Sequence, residues 1–463
     1  MLMRRGRRLL SSCALPKECP ERAARRDLMS VEVRKAREAA KADAMVRRGA
    51  YAERVAGVRI CSDLERPIRF AVVGGGRMGE IRCEHVARNA GARLAAFVDV
   101  RPASAARLAS RHPGCEAFVK LEDALEALHV DAVWICSPTP SHSSLVAAAA
   151  ERGAHVAVEK PVAMTVPEIR AAYAVCHEHG VHLSCAFQRR SDAAYSAVSD
   201  AVANGDVGDP RSIRAVFRDH PAPPPAFLAD AGGDPFHDLA THDLDFILDL
   251  VKRRVATRDD DDDGGGAHEQ RPRQRQPLDD DVLTHHQWFR DEGYRRAVAV
   301  DKYHPDEVYA FGTSSTADLR DKGVFDAATV VLKWKKPALD IGATLDIARG
   351  STYGYDQRLE VFGTTGAAVS VENAPDANFK SANHRGVNVG KLVHSFPQRF
   401  DHAFATELDH FLDCVRGHGA PKVTSNDAVL ATTVAEAAKI SAERELPVKL
   451  TTNHRGDVLI LDP

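Results

Sequence analysis

The segment IRFAVVGGGRMGEIRCEHVARNAGARLAAFVDVRP, residues 68–102, constrains the fold more than any other part of the chain. An apolar run, Ile68–Val73, meets a G-x-G-x-x-G turn (Gly74, Gly76, Gly79). A helix-compatible stretch follows, then a second apolar run, Leu94–Val98, ending in Asp99, 20 residues after Gly79. A glycine turn alone is common, but strand, turn, helix, strand and acid at this spacing form a dinucleotide-binding fingerprint. Gly74 permits the tight turn, Gly76 lets backbone approach a pyrophosphate, and Gly79 permits close helix–strand packing. Arg77 and Met78 share the turn, and the helix N-terminus offers free N–H groups to phosphate oxygens. Asp99 would accept from both adenosine-ribose hydroxyls and repel a 2′-phosphate, favouring NAD over NADP. Arg101 nearby softens that preference.

The alternation continues. A helix is expected over Ala103–Ser110, a strand near Ala117, a helix over Leu121–Leu128, a strand in DAVWICSP, a helix in SHSSLVAAAAERG and a strand in HVAVEK. This is a doubly wound parallel sheet, an α/β Rossmann unit. Ser137, Thr139 and Glu159 fall at strand ends on the carboxyl edge, where such sheets bind ligands. His142, in SPTPSH, lies near the nicotinamide on this reading, or else caps the next helix. Lys160, in AVEKPVA, is either a surface cation or a group aimed at substrate, and its position between a buried strand and Pro161 favours the second.

A second charged constellation lies in GGDPFHDLATHDLDFILDLV, residues 232–251, with two His and five Asp. From Asp238 onward the run reads as a helix, with Pro235 suited to its start. Ala240, Leu244, Ile247 and Val251 form the core stripe, while Asp238, His242, Asp245 and Asp249 repeat the same spacing on the other side. Asp238 and His242, four apart, can touch, whereas His237 and His242 point in different directions, which argues against a metal site. Local pattern alone favours a solvated face over an acid/base pair.

GGGRMG, SPTPSH and EKPVA together resemble the Gfo/Idh/MocA family of pyridine-nucleotide sugar and polyol dehydrogenases. ARGSTYGYDQRLEVFGTTG, AFQRRSDAAY and FPQRFDHAFATELDHFLDCVRG sharpen the likeness toward inositol 2-dehydrogenases, over about residues 67–250 and 308–450. The resemblance implies that Lys160, Asp238 and His242 form a catalytic set, which decides the 232–251 segment in favour of chemistry. His242 would take the hydroxyl proton, Asp238 would fix its tautomer, and Lys160 would bond the reacting oxygen. It also implies hydroxyl contacts from Arg190, Asp219 and Tyr355; the residues alone read equally as a surface ion pair, a loop cap and a core aromatic. NAD is the implied cofactor and a cyclic polyol such as myo-inositol the implied substrate; another sugar or polyol, or a sensor without turnover, are the alternatives. No metal is expected. Two departures fall in a substrate-side loop: Gly233 to Asp238 is one residue long, and His220 is an extra residue in FRDHPAPPP.

The second domain is expected to be α+β with a large, mainly antiparallel open sheet. RSIRAVFRD, VYAFGTS, ATVVLKW, ATLDIAR and RLEVFGT read as strands, and DAVLATTVAEAAKISAERE as a closing helix. By resemblance, that sheet would join a homodimer or homotetramer. The resulting division is a basic extension (1–66), an NAD-binding domain (67–187), a substrate domain (188–450) interrupted by an acidic low-complexity insertion (252–305), and a tail (451–463). The insertion carries RDDDDDGGG and RPRQRQP, which cannot bury enough apolar surface to order.

Nine cysteines without a CxxC pair point to reduced thiols inside the cell rather than a disulfide scaffold. The net charge of −3 suggests no nucleic-acid partner, and no apolar run reaches membrane-spanning length. Residues 1–60, however, hold 16 Lys/Arg against seven Asp/Glu. MLMRRGRRLLSSCAL, rich in arginine and free of acid, reads as an organelle transit peptide or as an unstructured extension on a cytoplasmic protein. Ser30 to about Val55 reads as an appended helix.

Overall fold

The computed structural model describes residues 52–55, 58–61, 66–223, 228, 234–263, 300–337, 339–373, 380–384, 386–389, 392–453 and 458–461. The expected transit peptide and most of the appended helix lie outside them. The last four residues of that helix, Ala52–Val55 (β1), instead form a strand antiparallel to Val58–Cys61 (β2). β-branched Val55, Val58 and Ile60 favour the extended form.

Six strands build the first sheet: β3 (Ile68–Val73), β4 (Ala92–Val98), β5 (Glu116–Phe118), β6 (Ala132–Ile135), β7 (His155–Glu159) and β8 (Leu183–Ala186). They are parallel throughout, in the order β5-β4-β3-β6-β7-β8. Helices α1 (Arg77–Arg88), α2 (Pro102–Ala109), α3 (Leu121–Ala127), α4 (His142–Glu151) and α5 (Val166–Glu178) connect them. β3 and β6 are buried along nearly their whole length, as strands covered on both faces must be. Strand order reverses between β3 and β6, which opens a crevice at their carboxyl ends.

After α6 (Ala193–Ala203) the second sheet begins with β9 (Pro210–Arg218), and α7 (Thr241–Asp263) packs behind it. β10 (Glu307–Thr313), α8 (Ala317–Asp321), β11 (Ala327–Lys336), β12 (Leu339–Ala348), β13 (Asp356–Gly363) and β14 (Ala368–Val371) follow. β15 (Lys380–Asn383) and β16 (Gly386–Val389) pair apart from the main sheet. Then come α9 (Phe396–Arg399), α10 (Asp401–Val415), α11 (Ser425–Arg444), β17 (Val448–Thr452) and β18 (Val458–Leu461). The order is β14-β13-β9-β12-β11-β10-β17-β18, and among these eight strands the neighbours β9 and β12 run parallel while every other pair is antiparallel.

Both expected architectures are present, but chain and core divide differently from the linear reading. Leu408, Phe411, Leu412 and Val415 of α10 share a core with Phe70 and Trp134 of the first sheet, and Ala428, Val429 and Ala431 of α11 pack into its other face. Amphipathic spacing marks a buried face; it does not say against what the face is buried. The acidic run does not interrupt the helix at residue 252, because α7 continues to Asp263. On the far side, Val300, Tyr303 and His304 are already buried, and Trp334 Nε1 donates to the Tyr303 carbonyl at 2.8 Å. Residues 264–299 lie outside the described ones. The expected tail contributes β18, an edge strand.

Phe411 sits 6.1 Å, ring to ring, from both Phe70 and Trp134. Phe411→Ala should cost about 3–5 kcal/mol in urea unfolding. A loss below about 1 kcal/mol would show that α10 is not part of the first sheet's core.

Candidate active site

The glycine turn sits at the end of β3. Gly74 holds φ +102°, and a Cβ there would lie 2.6 Å from the Ser137 amide nitrogen; one on Gly79 would lie 1.8 Å from the Gly74 carbonyl oxygen. Both glycines are required by the packing of the chain itself. Gly76 differs: a Cβ there meets nothing within 4 Å. It precedes α1, whose first N–H groups receive no side-chain cap from it. A residue kept small although the protein around it leaves room, at an uncapped helix N-terminus, fits a cradle for a pyrophosphate.

Asp99 completes the cradle. Its carboxylate accepts from the Gly75 amide at 2.6 Å and from the Arg101 amide at 2.8 Å, with Arg101 Nε at 3.1 Å. Burial opposes its charge, but these bonds hold its carboxyl below the ordinary value. Arg101 Nη2 also reaches this carboxylate, at 3.4 Å, from an exposed side chain, and an acid at the end of β4 beside the glycine turn fits NAD. Arg77 reaches away from the turn, donating to Ser395 Oγ at 2.9 Å and stacking on Phe396, and Met78 packs against the core of the second sheet.

Two of the expected cofactor contacts are structural anchors instead. Glu159 accepts from Arg82 Nε at 2.8 Å, and Arg82 also pairs with Glu407 of α10 at 2.8 Å while lying over Trp134 and Phe404. His142 is buried, with Nδ1 2.9 Å from the Pro161 carbonyl and Nε2 2.8 Å from that of Ser137. It ties the loops after β6 and β7 together rather than lining the crevice. Ser137 and Thr139 remain in the loop after β6, with Ser137 Oγ 2.7 Å from Ser141 Oγ.

Lys160 follows β7. Its Nζ donates to Asp238 Oδ1 and to the Asp238 carbonyl, both at 2.8 Å. Asp238 sits in a single π turn, Phe236–Ala240, that opens into α7. Asp234 starts this turn by accepting from the amides of Phe236 and His237 at 2.9 and 3.1 Å, with Pro235 at the first helical position. Wider π turns are common where a helix serves a functional site. His237 turns the other way, to Asp234 at 3.0 Å and Glu436 at 3.3 Å, and those two carboxylates raise it to about 9 against its burial.

Arg349, which sequence reasoning did not single out, completes the cluster. It donates to Asp238 Oδ2 at 2.6 Å and to Asp219 Oδ2 at 3.3 Å. The parallel pairing of β9 with β12 places Ala348 beside Arg218, so Asp219 and Arg349 leave the sheet at the same edge. Burial pushes Asp238 up, but Lys160 and Arg349 hold it at about 2. Asp219 is raised by burial and by Asp238, with Arg349 opposing. The only sequence signal for Arg349 was its place in the ARGSTYGYD segment, and that signal carried no role.

His242 is not paired with Asp238 as expected. Both oxygens of Asp238 are taken by Lys160 and Arg349, and among the described residues no hydrogen bond engages His242, whose Nδ1 is buried without a partner. The Phe187 ring meets it edge-on at 6.2 Å. Burial, then the charges of Lys160 and Arg189, depress its pKa well below the ordinary histidine value. The imidazole is therefore neutral and free to accept a proton, but Asp238 does not orient it.

The expected wet face of α7 is also overturned. Ala240, Leu244, Ile247 and Val251 are buried as expected, but so are Asp243, Asp245 and Asp249. Arg190, expected at substrate, is 2% exposed and pairs with Asp245 at 2.6 Å, Asp249 at 3.0 Å and Asp427 at 3.3 Å. Arg189 pairs with Asp243 at 3.0 Å. Period alone cannot distinguish a polar face in water from one facing buried arginines. Tyr355, another of the three expected hydroxyl contacts, is a core aromatic, edge-on to Phe217 at 5.5 Å and Phe400 at 6.2 Å. His220, the extra residue, bonds the Ser351 carbonyl and meets His394 edge-on.

This fold, with its phosphate cradle and the lysine at the mouth of the crevice, defines an NAD-binding oxidoreductase. The profile of the oxidoreductase family with an NAD-binding Rossmann fold, GFO_IDH_MocA, matches residues 68–187, and that of the GFO/IDH/MocA C-terminal domain matches 195–258. The two matched segments are thus domains of the Gfo/Idh/MocA family. The inositol 2-dehydrogenase of Rhizobium meliloti is 29% identical over 384 residues, 82% of this chain and 99% of its own length. The scyllo-inositol 2-dehydrogenase (NAD(+)) of Bacillus subtilis is 29% identical over 393 residues, 84% and 97%. The crystal structure of a probable dehydrogenase from Thermotoga maritima aligns with TM-score 0.67 and 26% identity, over 82% of this chain and 98% of that one.

Gly79 and Gly76 separate by experiment. Gly79→Ala should lower the melting temperature sharply, because its methyl group strikes backbone. Gly76→Ala should melt like the wild type yet bind NAD at least about tenfold more weakly by fluorescence titration. Wild-type affinity in Gly76→Ala would remove the cradle.

Proposed function

We propose that the protein oxidises a secondary alcohol of a cyclic polyol with NAD, and that myo-inositol, converted to the 2-keto compound, is its substrate. The observation that carries this reading is the meeting of Lys160, from the edge of the NAD-binding sheet, with Asp238 of α7 beside an unpaired, neutral imidazole. Two curated relatives that align over nearly their whole lengths, named as inositol and scyllo-inositol dehydrogenases, support the substrate class.

NAD bound at the Gly76 turn supplies the hydride acceptor. The chain's own groups handle the proton. An ammonium has three donors. Lys160 spends two on Asp238, which leaves the third for the substrate oxygen and its developing negative charge. His242 takes the hydroxyl proton, a task for which its neutral form is required. Asp238 aims Lys160, and Asp219 accepts from a neighbouring substrate hydroxyl. Lys160 and His242 keep the roles proposed from the sequence, while Asp238 serves the lysine instead of the histidine.

One face of the eight-stranded sheet carries exposed Phe311, Phe362, Leu459 and Leu461. We assign this face to a homodimer or homotetramer contact. Light scattering should give two or four chain masses, and a monomer at working concentration would remove the assignment.

The decisive test is a set of initial rates with myo-inositol, scyllo-inositol and other cyclic polyols, each with NAD and NADP, from about pH 5 to about pH 9. Turnover of myo-inositol with NAD is expected to dominate. A depressed base stays unprotonated as pH falls, so the acid limb of kcat/KM should lie below the ordinary histidine value of about 6.5. His242→Ala should abolish turnover. Preference for scyllo-inositol would correct the substrate, and no polyol turnover at any pH would sink the reading.

A further inference from the structure

The site holds four charges within one cluster: Lys160 and Arg349 against Asp219 and Asp238. They balance. Arg349 is 3% exposed, so its charge is felt through protein more than through water. We propose that Arg349 is a positioning residue for the reaction, dividing the two carboxylates so that Asp238 stays committed to Lys160 and Asp219 is left to the substrate. This rests on the polyol dehydrogenase reading given above.

The geometry accounts for the choice of arginine. Its planar fork places one nitrogen on each carboxylate, at 2.6 and 3.3 Å, which a single ammonium cannot do. The shorter bond goes to Asp238, and the longer one leaves Asp219 more loosely engaged. Without Arg349, two carboxylates would share one ammonium under partial burial, and like charges so close resist ionising together. Asp238 would also have a free oxygen, and His242 lies four residues along the same helical segment. Arg349 thus keeps the anion on the lysine and the imidazole unpaired. No local sequence rule brings Arg349 here; the parallel β9–β12 pair does.

The test compares Arg349→Gln, Arg349→Lys, Asp238→Asn and the Arg349→Gln/Asp238→Asn double variant, in the full-length protein, with the polyol that the wild type turns over. Arg349→Gln should lower kcat on the order of 10²-fold while KM changes less, the mark of lost alignment rather than lost binding. A substrate-free readout accompanies it. Asp238 is depressed in the fold, so its stabilising charge is fully present at neutral pH and is lost as pH falls toward about 2. The melting-temperature gap between wild type and Arg349→Gln should therefore narrow as pH is lowered, and nearly vanish in the Asp238→Asn background. Arg349→Lys, which restores charge without the fork, should recover melting temperature more than kcat, and it serves as the test if the glutamine variant does not fold. A kcat within about twofold of wild type would overturn the proposal. So would a melting gap that is constant with pH and additive with Asp238→Asn, which is the behaviour of a packing residue. If the wild type turns over no polyol, the functional reading fails while the melting cycle still decides the place of Arg349.

Discussion

The contact on which this architecture turns is the ion pair between Lys160 and Asp238. One partner follows the fifth strand of the parallel sheet, and the other sits in a π turn that opens α7 behind the mixed sheet. Neither sheet alone contains a reaction centre. The NAD cradle belongs to the first, the carboxylates and the imidazole to the second, and the ammonium reaches between them. Because Lys160 also bonds the Asp238 backbone carbonyl, it fixes the position of the turn as well as its charge.

The remaining charges inside the protein show the difference between holding a fold and doing chemistry. Arg82 is sealed between Glu159 and Glu407 and lies over two aromatic rings; Arg190 is sealed among three aspartates. Removing one partner of such a buried pair strands the other's charge, at a cost of about 3–5 kcal/mol. All three guanidinium nitrogens of Arg190 donate to protein, while Arg82 Nη1 is sealed inside without a partner. In the Lys160 cluster one ammonium donor and an entire imidazole are left over. That surplus marks the candidate reaction centre. The Arg82 cluster also ties α10 to the parallel sheet, so a late stretch of chain stabilises the early domain that binds NAD.

Local patterns recovered most strands of the two main sheets, the glycine turn and the strand-end positions of Asp99 and Lys160 because each depends on near neighbours in sequence: a period, a turn, a spacing. They misassigned residues whose surroundings come from elsewhere. Arg190 and Tyr355 sit in motifs that look exposed to a ligand, yet α7, α11 and the sheet cover them. Asp245 and Asp249 follow a polar spacing that water would explain, yet arginine explains it. Glu159 and His142 lie at the carboxyl edge as expected, with one Glu159 oxygen and both His142 ring nitrogens already bonded to protein.

The sequence by itself determined the doubly wound NAD-binding sheet, the second mainly antiparallel sheet and the place of Lys160 at the end of a buried strand, since period, turn chemistry and spacing act over a few residues. Only the tertiary structure decided which anion serves that lysine. A single parallel strand pair brings Arg349 beside Asp219, and that guanidinium draws Asp238 away from His242. Contacts between residues more than 100 positions apart leave no local spacing for a reader of sequence to find.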